Sequence, residues 1–134
     1  MAAQPFDWTR YYTLAAQLAG RQDEASRRSA ISRAYYYVYH IALARAAGNG
    51  FVREPGEASQ QQLWRNYSSS PDPNCKKLGE IAKRLKEKRE RADYEKSYVR
   101  IDDDVNGLIK EANDFAARLA ALPARFPSPD HVRQ

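Results

Sequence analysis

Residues 24–47 read EASRRSAISRAYYYVYHIALARAA, lying between Asp23 and the stop Gly48-Asn49-Gly50. The stretch predicts one long helix that opens after Asp23 and ends at about Ala47, because glycine is a poor helix former. At roughly 100° per residue, Ile31, Ala34, Tyr35, Val38, Ile41 and Ala42 share one apolar face. Tyr36, Tyr37, Leu43 and Ala44 lie on the other side. A helix apolar on nearly every side is either central in a bundle or shared with a second subunit.

The flanking segments carry the same period. Trp8, Tyr11, Tyr12, Ala15, Leu18 and Ala19 predict a first helix from about Trp8 to Ala19, with Asp7 as its cap and Gly20 just beyond it. Residues 51–73 are the least regular, with a Pro55-Gly56 turn, a short helix around Leu63, Trp64 and Tyr67, and a break at Ser68-Ser69-Ser70-Pro71; a mobile loop is expected there. Asp72 caps a fourth helix with Pro73 at its first position, and Cys75, Leu78, Ile81, Ala82 and Leu85 mark its buried stripe. Arg89 continues that stripe and is expected to face inward, whereas Lys86 and Lys88 point elsewhere. A fifth helix follows Asp102-Asp103-Asp104 and buries Val105, Leu108, Ile109, Ala112, Phe115, Ala116, Leu119 and Leu122. The expected fold is all-α: a compact up-and-down bundle of about five helices, forming a single domain over residues 1–122. The Pro-rich tail, 123–134, is expected to fray.

A chain of 134 residues can bury one core without metals or disulfides. Cys75 is the only cysteine, which excludes an internal disulfide and a cysteine-based metal site, and the only histidines are His40 and His131. No metal and no cofactor is expected. No apolar run approaches the roughly 18 residues of a membrane span. The N-terminus lacks the basic and apolar regions of a secretory signal, so a soluble, cytoplasmic protein is expected. The net charge of +5 is concentrated between residues 76 and 91, where eight basic residues face only Glu80, Glu87 and Glu90. The eight are Lys76, Lys77, Lys83, Arg84, Lys86, Lys88, Arg89 and Arg91. Such a stripe fits a phosphate-binding surface, through counterion release, or equally a solvated helix face.

Three groups of residues can carry chemistry. Arg33 and His40 stand seven apart on one side of the second helix, with Tyr36 and Tyr37 in the intervening turn. An imidazole can deprotonate a ribose 2′-hydroxyl and a guanidinium can stabilise charge on a phosphate, so the set is sufficient in principle for RNA cleavage. The alternative is packing for His40 and the tyrosines, and a structural ion pair for Arg33. In Lys88-Arg89-Glu90-Arg91-Ala92-Asp93-Tyr94, Arg89 and Asp93 are four apart and can pair, with the Tyr94 hydroxyl close by; a helix-end ion pair is the alternative. Asp102-Asp103-Asp104 reads as a helix N-terminus rather than a magnesium site, since carboxylates there complement the helix dipole.

Two of these segments together resemble the HEPN superfamily of prokaryotic helical domains. They are Ser32-Arg33-Ala34-Tyr35-Tyr36, running on to His40, and Arg89-x-x-Ala92-Asp93-Tyr94, about fifty residues later. With the five-helix layout the likeness covers about residues 8–122. It implies a compact bundle that dimerises, and in active members a metal-independent RNase with an Arg-x4-6-His motif. It also implies toxin or antiviral roles in some members and association with small nucleotidyltransferases in others. Arg33-x6-His40 meets the motif's spacing but lies in the second helix, whereas the family's motif lies later. At the later position this chain has Arg89-x4-Tyr94, and tyrosine, with an ordinary pKa of about 10, is a poor general base near neutral pH.

The expected function is therefore, first, a module binding nucleotide, RNA or a nucleotidyltransferase partner. Its contacts are Tyr36, Tyr37, Arg89, Asp93, Tyr94, Lys83, Arg84 and Arg91. The second expectation is a metal-independent ribonuclease with Arg33 and His40 as catalytic residues, and the third a structural dimer. A homodimer without membrane attachment is expected in each case.

Overall fold

A computed structural model of the chain describes residues 5–54 and 58–129. Five helices make up its regular structure, with no strand among the described residues: α1 (Thr9–Ala19), α2 (Glu24–Gly48), α3 (Ser59–Ser68), α4 (Pro73–Tyr94) and α5 (Ile101–Ala121). The all-α bundle expected from periodicity is the observed architecture. Its local signals hold as well, since Asp23 accepts a hydrogen bond from the Ser26 amide and Asp72 one from the Cys75 amide, with Pro73 opening α4. The acidic run differs slightly: Asp102, Asp103 and Asp104 lie inside the first turn of α5 rather than ahead of it. Asp102 pairs with Arg27, and Asp104 accepts from the Tyr98 hydroxyl at 2.6 Å.

α2 is the central helix and packs against each of the other four. Ile31, Ala34, Tyr35, Val38 and Ala42 are fully buried, as the predicted face requires. Tyr37, expected on the other side, is buried too, because α1 folds over that side and brings Tyr12 within 5.4 Å of its ring. Within the core, Trp64 of α3 meets Tyr35, Tyr39, Tyr67 and Phe115 edge-on or tilted, the arrangement favoured by ring quadrupoles. Its indole N–H donates to the Tyr35 hydroxyl at 2.9 Å, which donates to Gln60 at 2.6 Å. The Tyr67 hydroxyl donates to the Ala42 carbonyl at 2.7 Å. Burial without partners is costly, and these phenols have them.

Two arginines at opposite ends of α2 close the bundle. Arg28 reaches the C-terminus of α4, donating to the carbonyls of Ala92 at 3.0 Å and Glu95 at 2.7 Å. Arg45 donates to Leu119, Leu122, Pro123 and Phe126, at 2.8 to 3.1 Å. The last carbonyls of a helix have no intrahelical partner, and a cation there also meets the negative end of the dipole.

The second network corrects the frayed-tail expectation as far as Pro129. Arg45, Asn49 and Asn66 all donate to tail carbonyls, and Pro127 is buried. The mobile-loop expectation for residues 51–73 is also corrected in part. α3 buries Leu63, Trp64 and Tyr67, and Gln62 exchanges two hydrogen bonds with the Glu54 backbone. The Pro55-Gly56 turn and His131 lie outside the described residues.

α3 and α4 meet where Gly79 faces Ser68, and a Cβ at 79 would stand 2.6 Å from the Ser68 amide nitrogen. Backbone cannot yield as a side chain can. Gly79→Ala is expected to destabilise the fold by about 1–3 kcal/mol despite alanine's better helix propensity, measured by urea denaturation. Arg45→Ala is expected to lower stability by about the same amount by orphaning its carbonyls, and to expose residues 123–129 to limited proteolysis.

Candidate functional site

Ser29, Ser32, Arg33 and Tyr36 stand at helical spacings i, i+3, i+4 and i+7, so one face of α2 carries two hydroxyls, a cation and a phenol. That face forms one wall of an open groove of about 420 Å³, to which α4 contributes Ala92 and Asp93. The two separated sequence segments, Ser32 to Tyr36 and Arg89 to Tyr94, therefore come together across it. They do so because α2 and α4 run antiparallel, with the start of α2 against the end of α4, where Arg28 holds them.

Arg89 faces inward, as its place on the α4 stripe predicts, and is only 6% exposed. Its guanidinium carbon lies 5.4 Å from the Tyr35 ring centre and 5.5 Å from that of Tyr36, and Nη1 is 3.3 Å from Asp93 Oδ2. Burial opposes the charge, but Tyr36, Asp93 and Tyr35 outweigh it and raise the pKa above the ordinary arginine value, so the group stays a cation. Its hydrogen bonding is incomplete. Nε is buried with no partner, and the bond to Asp93 is long for a charge-assisted pair. Arg28 and Arg45, by contrast, spend their donors on a ring of carbonyls.

Arg33 is exposed at the groove's edge and makes no hydrogen bond or ion pair among the described residues. Its contact is with α1, where its guanidinium carbon sits 5.0 Å from the centre of the Tyr11 ring. Tyr11 is braced by Trp8 at 4.9 Å, edge to face, and Trp8 by Phe6 at 4.8 Å. His40 stacks flat on Trp8, 3.4 Å between ring centres and 5° between planes. Arg33 and His40 thus share an aromatic cluster, but His40 does not line the groove.

The other expected contacts disperse. Tyr37 is buried, and its hydroxyl pKa is raised by that burial. Tyr94 is 78% exposed and sits with Arg91 in a separate shallow depression among Glu87, Glu90 and Glu95. Lys83 turns toward α3 and donates to Ser68 Oγ at 3.2 Å; Arg84 is exposed. A helix carrying basic residues at consecutive positions points them around its circumference, so the stripe is not a single surface.

Sequence reasoning passed over Arg28, Ser29 and Tyr11. The spacing of Ser29 from Ser32, Arg33 and Tyr36 was available as a signal, whereas nothing in the sequence pairs Tyr11 with Arg33. No group of histidine, cysteine, aspartate and glutamate that could hold a metal exists among the described residues, and no helix among them is long and apolar enough to cross a membrane.

The packing of His40 has a consequence for pH. Desolvation lowers its pKa below the ordinary value of 6.5, so the unfolded chain binds a proton more readily than the folded one. The contribution of His40 to stability is present above pH 6.5 and lost as pH falls through the depressed value. Asp7 and Asp23, whose pKa values lie below 3.8, titrate outside this window. The denaturation midpoint is expected to fall between pH 7.5 and 5, and His40→Phe, which keeps a ring on Trp8, is expected to flatten that fall.

No protein-family model, no curated protein and no solved structure matches this chain.

Proposed function

We propose that this chain is a HEPN-like helical module that binds RNA or nucleotide by its phosphates in the groove between α2 and α4. The observation that carries the reading is Arg89, a buried cation packed behind the groove residues Tyr36 and Asp93, whose Nε the protein itself leaves without a partner. A phosphate oxygen is a natural partner for such a group, being anionic and able to accept from a guanidinium in bidentate fashion. Arg33, unpaired at the groove's edge, and the hydroxyls of Ser29, Ser32 and Tyr36 offer further contacts. Lys76, Lys77, Arg84 and Arg91 are exposed along α4 and add sequence-independent attraction.

A ribonuclease is the competing reading, with His40 as its base. Desolvation keeps the imidazole neutral near pH 7, the form a base needs, but its stack on Trp8 holds it away from the groove's lining. Binding is therefore favoured over cleavage. Short single-stranded RNA is expected to remain intact with the protein in EDTA; cleavage that vanishes in His40→Ala would establish the ribonuclease instead.

RNA affinity is expected to weaken with rising salt, and Arg33→Ala to reduce the slope of log K against log salt by about one contact. Titration of a fluorescent RNA across a salt series measures both. An affinity indifferent to salt, or unchanged in Arg33→Ala, contradicts phosphate binding at this groove.

A further inference from the structure

We infer that the groove between α2 and α4 is a site for a small amino acid, whose carboxylate meets Arg33 on the α2 wall and whose ammonium meets Asp93 on the α4 wall. The inference goes beyond the phosphate reading, which gives Asp93 no ligand to hold. Both residues line the groove, yet the ion pair that Asp93 makes is with Arg89, and Arg33 makes none among the described residues. Opposite charges therefore share one groove without neutralising each other. A ligand with a single charge satisfies one wall and leaves the other; a zwitterion satisfies both.

Each charged group keeps capacity for a ligand. The Asp93 side chain is 29% exposed, and its one bond to Arg89 is long, at 3.3 Å, and uses Oδ2. Oδ1 accepts no hydrogen bond among the described residues, although an ionised carboxylate can accept several. Arg33 rests one face of its guanidinium on Tyr11, at 5.0 Å, which leaves its N–H donors free. Arg28, the remaining charged residue of the lining, is committed to the carbonyls of Ala92 and Glu95 and to the Glu24 carboxylate. The hydroxyls of Ser29, Ser32 and Tyr36 can donate or accept, so they suit either end of a zwitterion. The apolar part of the lining is Ala25 and Ala92. Sites for larger ligands are mostly apolar, so this groove suits an amino acid with little or no side chain.

Glycine, β-alanine and γ-aminobutyrate are titrated separately into the full chain at neutral pH, followed by NMR shifts, beside acetate and methylammonium, which carry one charge each. The three amino acids differ in the distance between their charges, so the tightest of them reads the span between the walls. That amino acid is expected to bind about tenfold more tightly than acetate, through the added bond from its ammonium to a carboxylate. Asp93→Asn is expected to bring its affinity down to that of acetate without weakening acetate itself. Arg33→Ala, which removes an exposed side chain, is expected to weaken the amino acid and acetate alike.

If acetate binds as tightly as every one of the amino acids, or if Asp93→Asn keeps their advantage, the groove takes an anion alone; the inference is wrong and the phosphate reading stands. If no amino acid binds, or if Arg33→Ala binds it as the wild type does, the inference is wrong whatever RNA does. The comparison with acetate and the Arg33→Ala variant decide the matter even where Asp93→Asn, by weakening the hold on buried Arg89, fails to fold.

Discussion

The bundle depends on how the two ends of α2 engage the C-termini of its neighbours. Arg28 near its start holds the end of α4, and Arg45 near its finish holds the end of α5 and the chain beyond it. Each guanidinium supplies donors where a helix runs out of them, so the polarity of α4 and α5 relative to α2 is set by hydrogen bonding as well as by packing. Between these clamps α2 is packed on by all four other helices, which is why Tyr35, Tyr37 and Tyr39 sit in the core, with hydrogen-bond partners for the Tyr35 hydroxyl.

The same helix separates scaffold from site by how its arginines and their neighbours are satisfied. Arg28 and Arg45 are structural, with geometry that leaves them little capacity for a ligand. Arg33 is ordered by a ring and not by hydrogen bonds, while Arg89 comes from α4 to meet the rings of Tyr35 and Tyr36. Aromatic faces hold a guanidinium in place without consuming its N–H donors. Arg33 at the groove's edge and Arg89 behind its Tyr36 and Asp93 are thus fixed yet under-bonded, a combination that a purely structural ion pair between Arg89 and Asp93 does not require.

His40 shows how a reactive residue type can be absorbed by packing. It stands seven residues from Arg33 on one side of α2, but the contacts between them run through Trp8, just ahead of α1, and Tyr11 on α1. In this arrangement the imidazole braces the ring that positions the cation. Tyr94 illustrates the converse, since a tyrosine in a suggestive motif lies on the outside of α4 among carboxylates.

Local chemistry made the helices legible. The run from residue 24 to 47, the caps at Asp23 and Asp72, Pro73, and the stripe leading to Arg89 all follow from periodicity and end chemistry, which act within one or two turns. The five-helix all-α fold and the inward direction of Arg89 could therefore be read from the sequence by itself. Tertiary structure decided what depends on contacts between distant segments: that α1 covers Tyr37, that the tail docks on Arg45 and Asn49, and that Tyr11 lies under Arg33. It also drew Arg33, Tyr36 and Asp93 to one groove while leaving His40, Lys83 and Tyr94 elsewhere. Helical spacing specifies which side of its own helix a residue occupies, but not which helix will face that side.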